Sequence, residues 1–114
     1  EVYLEKTGGF LSRYNRVDSY SPSTGEIISR KHTQLSEITN SSAMRYLSEL
    51  ATKYKPGTRI ADVPSNRRRG LAGQLEGQMI LEVPVQTRPV PPSILEKART
   101  SKIRIRDIEG HVYR

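Results

Sequence analysis

Six consecutive positions of the chain, residues 29–34, carry side chains that bind a phosphate group or move a proton. They are Ser29, Arg30, Lys31, His32, Thr33 and Gln34. Arginine, lysine and hydroxyl groups donate hydrogen bonds to phosphate oxygens. A histidine gains and loses a proton near neutral pH. This combination indicates chemistry on a phosphodiester.

Cleavage of RNA without a metal ion needs few protein groups, because the 2′-hydroxyl of RNA is itself the nucleophile. The protein supplies a general base or acid and cations that stabilise the pentacovalent phosphate. In this hypothesis His32 moves the proton, while Arg30 and Lys31 bind the scissile phosphate and Thr33 donates a hydrogen bond to it. His111 is a second candidate for proton transfer. No cofactor is expected in this case. The competing interpretation of either histidine is an exposed or packed residue without a catalytic role.

A magnesium-dependent nuclease is the alternative chemistry. Mg²⁺ is bound by one or two carboxylates together with water and substrate phosphate. Asp18, Glu26 and Glu82 are the candidate ligands, with Lys31 beside them. In the hairpin of metal-dependent nucleases, an Asp on one strand faces a Glu-x-Lys pair on the next. Here Ser29 occupies the position of that glutamate.

The catalytic cluster lies within a predicted strand, residues 25–35. Side chains of a strand alternate between its two faces, so Ser29, Lys31 and Thr33 face one way, and Arg30, His32 and Gln34 the other. Only one half then belongs to a site, unless a bulge redirects a residue. Lys31 needs an anionic partner, and the scarcity of suitably spaced carboxylates favours a substrate phosphate over a protein group.

Around this strand the sequence predicts an α+β domain with a mixed sheet of about five strands and two helices, in the order β-β-α-β-β-α-β. A lead-in segment, residues 1–12, precedes a single domain over 13–114. Strands are predicted at 13–21, 25–35, 58–63, 78–86 and 102–108, with a short tail strand at 111–114. Helices are predicted at about 39–54, capped by Thr39 or Asn40, and at 93–100. The segment 64–77 is predicted as a polar loop. The strand at 78–86 is apolar on both faces, which is typical of a central strand.

Charge is the strongest compositional signal. Lys and Arg number 19 against 12 Asp and Glu, a net charge of +7, which favours a polyanionic partner such as nucleic acid. Arginines expected to extend the substrate-binding surface beyond Gln34 are Arg67, Arg68, Arg69, Arg104 and Arg106. The absence of cysteine excludes disulfides, thiolate zinc sites and a cysteine nucleophile. No apolar run reaches membrane-spanning length.

Three segments resemble the C-terminal toxin domains of bacterial polymorphic toxins, including those of contact-dependent growth inhibition: residues 20–35, 55–58 and 75–84. The resemblance implies a nuclease that enters the cytoplasm of a neighbouring cell and cleaves tRNA, other RNA or DNA there. It also implies delivery as part of a larger secreted or surface protein, which fits a chain that begins with Glu1, and an acidic immunity protein that neutralises the domain. Ser29 departs from the metal-dependent members of this group. The sequence leaves open a third function, a non-catalytic module that binds nucleic acid.

Overall fold

A computed structural model of the protein describes residues 1–5 and 14–114. This part of the chain forms an α+β fold of seven strands and three helices, which confirms the predicted fold class. The strands are β1 (Val2–Leu4), β2 (Asn15–Val17), β3 (Ser19–Ser21), β4 (Glu26–Arg30), β5 (Gln78–Val83), β6 (Ile103–Asp107) and β7 (Val112–Tyr113). The helices are α1 (Asn40–Lys53), α2 (Pro64–Arg68) and α3 (Pro92–Thr100).

The main sheet has five strands in the order β3-β4-β5-β6-β7. The inner strands β4, β5 and β6 are parallel, and the edge strands β3 and β7 pair antiparallel to their neighbours. The central position of β5 confirms the prediction made from its two apolar faces. β5 ends at Val83 rather than at 86, because Pro84 has no amide hydrogen to donate to a ladder.

One core lies between the main sheet and the elements that cover one of its faces. Ile27, Leu81 and Ile105, on the three parallel strands, are fully buried on that face. Helices α1 and α3 pack over them through apolar residues at helical spacing, among them Leu47, Leu50 and Ile94. Helix α1 begins as predicted, since the hydroxyl of Thr39 accepts a hydrogen bond from the Ser42 amide.

Within the predicted lead-in segment, β1 (Val2–Leu4) contributes to this core. β1 pairs antiparallel with β2 in a separate two-stranded sheet, and Val2, Leu4 and Val17 are buried with the rest of the core. Residues 6–12 of the predicted lead-in, and Arg13 of the predicted first strand, lie outside the described residues.

The prediction of a single strand at 13–21 is wrong. The segment forms two strands, β2 and β3, which are separated at Asp18. The Asp18 carboxylate accepts a hydrogen bond from the Arg30 amide at 2.7 Å. The Asp18 side chain thus takes the place of a backbone carbonyl, which would accept the Arg30 amide if the strand were continuous. The two halves of the segment belong to different sheets.

The segment 58–77 also differs from its prediction. Residues 58–63 form no strand and make only two isolated bridges, Leu4 with Ile60 and Arg59 with Gln74. The predicted loop that follows contains α2, which starts at Pro64, a residue suited to the first helical turn. Asn66 of α2 is fully buried and donates to the carbonyls of Tyr3 and Ala61, so tertiary hydrogen bonds hold this short helix.

The starts of β4 and β5 are held together by a close contact between two glycines. The Gln78 amide donates to the Gly25 carbonyl at 2.7 Å, and a Cβ atom on Gly77 would lie 2.1 Å from the same oxygen. Gly77 also has a φ of +120°, which only glycine adopts without strain. This contact holds β4 and β5 in their parallel register, in which the carboxyl ends of both strands lie at the same edge of the sheet.

We call the face of the main sheet turned away from α1 and α3 the open face; it carries Glu26, Ile28, Arg30, Ile80, Glu82, Arg104 and Arg106. An ion pair crosses it from β6 to β4, with Nη1 of Arg106 located 2.6 Å from Oε2 of Glu26. In the strand register Ile80 lies midway between these two residues, and it is only 1% exposed. The ion pair therefore covers the central strand.

Candidate functional site

The predicted strand 25–35 ends at Arg30. The Lys31 amide still donates to the Glu82 carbonyl at 3.0 Å, but one residue further along the parallel register His32 would face Pro84. Since proline offers no amide, the ladder stops there. A three-residue turn follows, in which the Thr33 amide donates to the Lys31 carbonyl at 3.1 Å with His32 at its centre.

The ends of the three parallel strands enclose a small cleft of about 50 Å³, which we call the strand-end cleft. It is lined by Arg30, Lys31, His32, Glu82, Val83, Pro84 and Ile108. Ligands of open sheets with parallel strands bind at this edge, beyond the carboxyl ends of the strands. The volume corresponds to one or two water molecules. A large ligand would therefore lie across the cleft, with only a small group inserted.

Arg30 and Lys31 reach the cleft from opposite faces of the sheet, as strand alternation predicts. Arg30 lies on the open face, where its Nε atom is 2.8 Å from Oε2 of Glu82 and its Nη1 atom donates to the Ser19 hydroxyl at 2.7 Å. The turn after the strand then places His32, which is exposed, among the residues that line the same cleft. Strand alternation alone would place Lys31 and His32 on opposite faces. Because the strand ends before His32, both residues line one cleft, and no bulge is needed.

The side chain of Lys31 extends toward α1, where its ammonium group pairs with a carboxylate. Its Nζ atom lies 3.5 Å from Oε1 of Glu49 and 5.1 Å from the centroid of the Tyr46 ring. The sequence favoured a substrate phosphate as the partner of this lysine, and the structure shows a protein carboxylate instead. The pairing joins a strand end to the middle of a helix, and spacing along the chain gave no signal of it.

Three residues of the predicted cluster do not line the cleft. Ser29 is 2% exposed on the helix-covered face, next to Leu81 in the register. Thr33 and Gln34 belong to the turn behind His32, and their polar groups bond to the loop that follows β5. Within the described residues, the structure brings together Arg30, Lys31 and His32.

Each carboxylate of the magnesium alternative is bonded to an arginine, and Glu26 lies apart from the other two. Glu26 is paired with Arg106 at the start of β4, Glu82 is paired with Arg30, and Asp18 accepts the Arg30 amide. Glu26 thus lies at the opposite end of β4 from Lys31. Across residues 1–5 and 14–114, no group of three or more histidine, aspartate or glutamate side chains is placed to hold a metal ion.

The arginines expected to bind substrate lie elsewhere, and none of them lines the strand-end cleft. Arg104 is exposed on the open face, whereas Arg106 is committed to Glu26. On α2, Arg67 is 3.1 Å from Asp62, and Arg69, just beyond the helix, donates to the carbonyl of Glu1. Arg68 of the same helix is exposed.

A larger cavity of about 470 Å³ adjoins the C-terminal end of α1. Its walls include Lys53, Lys55 and Arg59, and none of the predicted catalytic residues. The small cleft, rather than this cavity, holds the combination of two cations and a histidine.

Sequence reasoning missed a set of hydrogen bonds behind His32. Gln34 and Gln86 exchange side-chain hydrogen bonds with each other's loops: Gln34 bonds to Val85 and Thr87, while Gln86 bonds to Thr33 and Leu35. Nothing in the sequence distinguishes these glutamines from surface residues, because their partners are backbone groups more than fifty positions away.

Neither the family models, nor the curated proteins, nor the solved structures with which the chain was compared include a match. In the described part of the chain, the helices are too short and too polar to cross a membrane.

Proposed function

We propose that this domain is a ribonuclease that binds RNA across the strand-end cleft and cleaves it without a metal ion. One observation carries the proposal: Arg30, Lys31 and His32 meet at one solvent-facing cleft beyond the ends of three parallel strands. Two cations and a proton carrier are the groups that cleavage by the 2′-hydroxyl requires. The net charge of +7 supports a polyanionic substrate.

In the proposed reaction, His32 accepts the proton of the 2′-hydroxyl as that oxygen attacks the adjacent phosphorus. The bond between phosphorus and the 5′-oxygen breaks, leaving a 2′,3′-cyclic phosphate. The departing 5′-oxygen takes a proton from water or from His111, which is exposed on the loop that follows β6. Arg30 and Lys31 stabilise the negative charge that accumulates on the phosphate.

Both cations are held in place by carboxylates and still reach solvent. The side chain of Arg30 is 44% exposed beside Glu82, and that of Lys31 is 30% exposed beside Glu49. Each pair restricts the position of its cation before substrate arrives, and charges that are already positioned contribute to the stabilisation of a transition state.

The biological setting of the proposal rests on the resemblance to polymorphic toxin domains. In this setting the domain is delivered from a larger secreted or surface protein into a neighbouring cell, and tRNA is its main substrate there. An acidic immunity protein would neutralise it by covering the cleft, which is consistent with the positive charge of the chain.

The test is incubation of the purified domain with total RNA in the presence of EDTA. We expect discrete fragments, and a loss of rate of about 10²–10⁴-fold in His32→Ala, the range for removing a general base. Lys31→Ala should also be impaired. Lys97→Ala, which removes the same charge from α3, is the matched control and should cleave as the wild type does.

Two outcomes would overturn the proposal in favour of its alternatives. Cleavage that stops in EDTA, returns with Mg²⁺ and is lost in Asp18→Ala would identify a metal-dependent nuclease. Binding that weakens steeply with salt, without cleavage under any condition, would identify a non-catalytic binding module.

A further inference from the structure

The described part of the chain contains two exposed histidines, and both lie on tight turns at the carboxyl edge of the sheet. His32 is at the centre of the turn after β4. His111 lies between β6 and β7, where its amide donates to Oδ1 of Asp107 at 3.0 Å and its carbonyl accepts the Asp107 amide at 2.9 Å. The strands β4 and β6 are separated only by β5.

Gln86 fixes the turn that presents His32. Its Oε1 atom accepts the Leu35 amide at 2.8 Å, and its Nε2 atom donates to the carbonyl of Thr33 at 3.1 Å. Nε2 also donates to the carbonyl of Pro84 at 2.8 Å, which orients the amide group. One side chain thus bonds to Thr33 and Leu35, which lie one and three residues after His32, and to the loop that follows β5.

The backbone of Gln86 connects this turn to the other histidine. Its amide donates to the hydroxyl of Tyr113 at 2.9 Å, and that hydroxyl donates to Oδ2 of Asp107 at 2.7 Å. The Asp107 carboxylate is 3% exposed and is the group that accepts the His111 amide. Hydrogen bonds on either side of Gln86 therefore connect one histidine turn to the other, through the covalent bonds between the side chain and the backbone amide of Gln86.

Near neutral pH, the hydroxyl of Tyr113 stays protonated and the carboxyl of Asp107 stays ionised. Burial raises the pKa of Tyr113, and its hydrogen bond to Asp107 raises it further, so the hydroxyl remains a donor. Burial opposes ionisation of Asp107, but hydrogen bonds from Tyr113, His111 and Glu109 outweigh it and hold the pKa of that carboxyl below its usual value. The Tyr113 hydroxyl consequently remains the donor, and the Asp107 carboxylate the acceptor, of the hydrogen bond between them.

We infer that Gln86, Tyr113 and Asp107 form a positioning relay, which holds the His32 turn and the His111 turn in a fixed relation during RNA cleavage. This inference rests on the proposed ribonuclease function and adds to it. The relay residues act through the two turns and do not touch substrate. A displacement of about 1 Å in a catalytic group costs on the order of 10²-fold in rate, so small movements of either turn should be visible in kinetics.

The test compares Gln86→Ala and Tyr113→Phe with the wild type. Tyr113→Phe removes only the hydroxyl and keeps the ring. Gln78→Ala is the matched control, because Gln78 also donates to two backbone carbonyls, those of Met79 and Lys102, at the other end of the sheet. Four quantities are measured: the single-turnover rate on saturating RNA, the dissociation constant for a 2′-O-methyl RNA oligonucleotide that cannot be cleaved, the melting temperature and the rate of amide hydrogen exchange at Leu35.

We expect both relay variants to lose about tenfold or more in single-turnover rate, with an unchanged dissociation constant. Amide hydrogen exchange at Leu35 should accelerate in Gln86→Ala, which loses the acceptor of that amide. Gln78→Ala should match the wild type in rate and in exchange at Leu35. Rates that fall only in proportion to melting temperature, in Gln78→Ala as much as in the relay variants, would show a general effect on stability and overturn the relay.

The failure of the relay and the failure of the proposed function give different results. If the wild type cleaves RNA and both relay variants cleave equally fast, the relay is wrong and the ribonuclease stands. If the wild type does not cleave RNA, the proposed function is wrong, and the catalytic role of the relay is wrong with it.

Discussion

The ammonium of Lys31 lies 3.5 Å from the carboxylate of Glu49, so that α1 holds a lysine of the strand-end cleft in an ion pair. If RNA phosphate binds this lysine, the glutamate competes with it. The pair is partly exposed, and such pairs contribute about 0–1 kcal/mol to stability. Its main effect should therefore be on binding.

Removing this carboxylate should strengthen RNA binding. In Glu49→Gln we expect a lower dissociation constant for 2′-O-methyl RNA and a steeper dependence on salt, because Lys31 becomes free to bind a phosphate. Fluorescence anisotropy at several salt concentrations measures both. Glu96→Gln removes an equal charge from a glutamate that pairs with Arg99 on α3. An equal gain in that control would mean that net charge, not Lys31, determines the change.

The stability of the domain should depend on pH through Asp107. Because hydrogen bonds hold the pKa of the folded carboxyl below its usual value, its contribution is complete above the unfolded pKa of about 4 and is lost as pH falls through the folded pKa. Asp107→Asn should therefore lower the melting temperature at pH 7, and the difference from the wild type should shrink below about pH 4. Thermal unfolding monitored by circular dichroism from pH 7 to pH 3 measures this.

The control for this titration is Asp62→Asn, at an aspartate whose side chain is 84% exposed. It should change the melting temperature little across the range. A difference between Asp107→Asn and the wild type that stays constant from pH 7 to pH 3 would contradict the assigned role of the carboxylate.

Gly77→Ala should be among the most destabilising substitutions of a small residue in this chain. The new Cβ would lie 2.1 Å from the Gly25 carbonyl oxygen, and the backbone also has a positive φ. Gly73→Ala is a matched control, since its φ is +83° and nothing lies within 4 Å of the new atom. The control should lose about 1 kcal/mol from conformational strain. Urea unfolding should show a clearly greater loss for Gly77→Ala, and equal losses would mean that the glycine contact is dispensable.

Lys102→Gly should stabilise the fold. Lys102 follows α3 with a φ of +59°, a conformation that costs a non-glycine residue about 1–2 kcal/mol. Glycine adopts it freely but adds entropy to the unfolded chain, about 0.5–1 kcal/mol, so a net gain of up to about 1 kcal/mol in unfolding free energy is expected. Lys97→Gly, inside α3, should instead lose about 1 kcal/mol. A loss in both variants would contradict the prediction.

Local patterns predicted most of the architecture. Three of these patterns each depend on residues that are close together in the sequence: the hairpin at 22–25, the apolar run of β5, and the helical spacing of Leu47 and Leu50. The central place of β5 followed from its two apolar faces. These features depend on periodicity and turn chemistry, which a single sequence contains.

Features that depend on contacts between distant residues were not predicted. β4 ends early because of Pro84, which directly follows the neighbouring strand β5, and this becomes visible only once the register is extended to place His32 opposite Pro84. The partner of Lys31 is on a helix, and Gln86 bonds to a turn more than fifty residues away. The sequence predicted Arg30, Lys31 and His32 as site residues but left open how strand alternation could place them in one site, because the end of the strand at Arg30 was not predicted.

The ion pair between Arg106 and Glu26 has a consequence for the size of the domain. Many sheets with parallel strands are enclosed between two layers of helices, whereas here the charged side chains themselves shield Ile80 from water on the open face. Among the residues that the structure describes, these two long side chains cover part of the open face of the central strand, where many other sheets carry a second layer of helices.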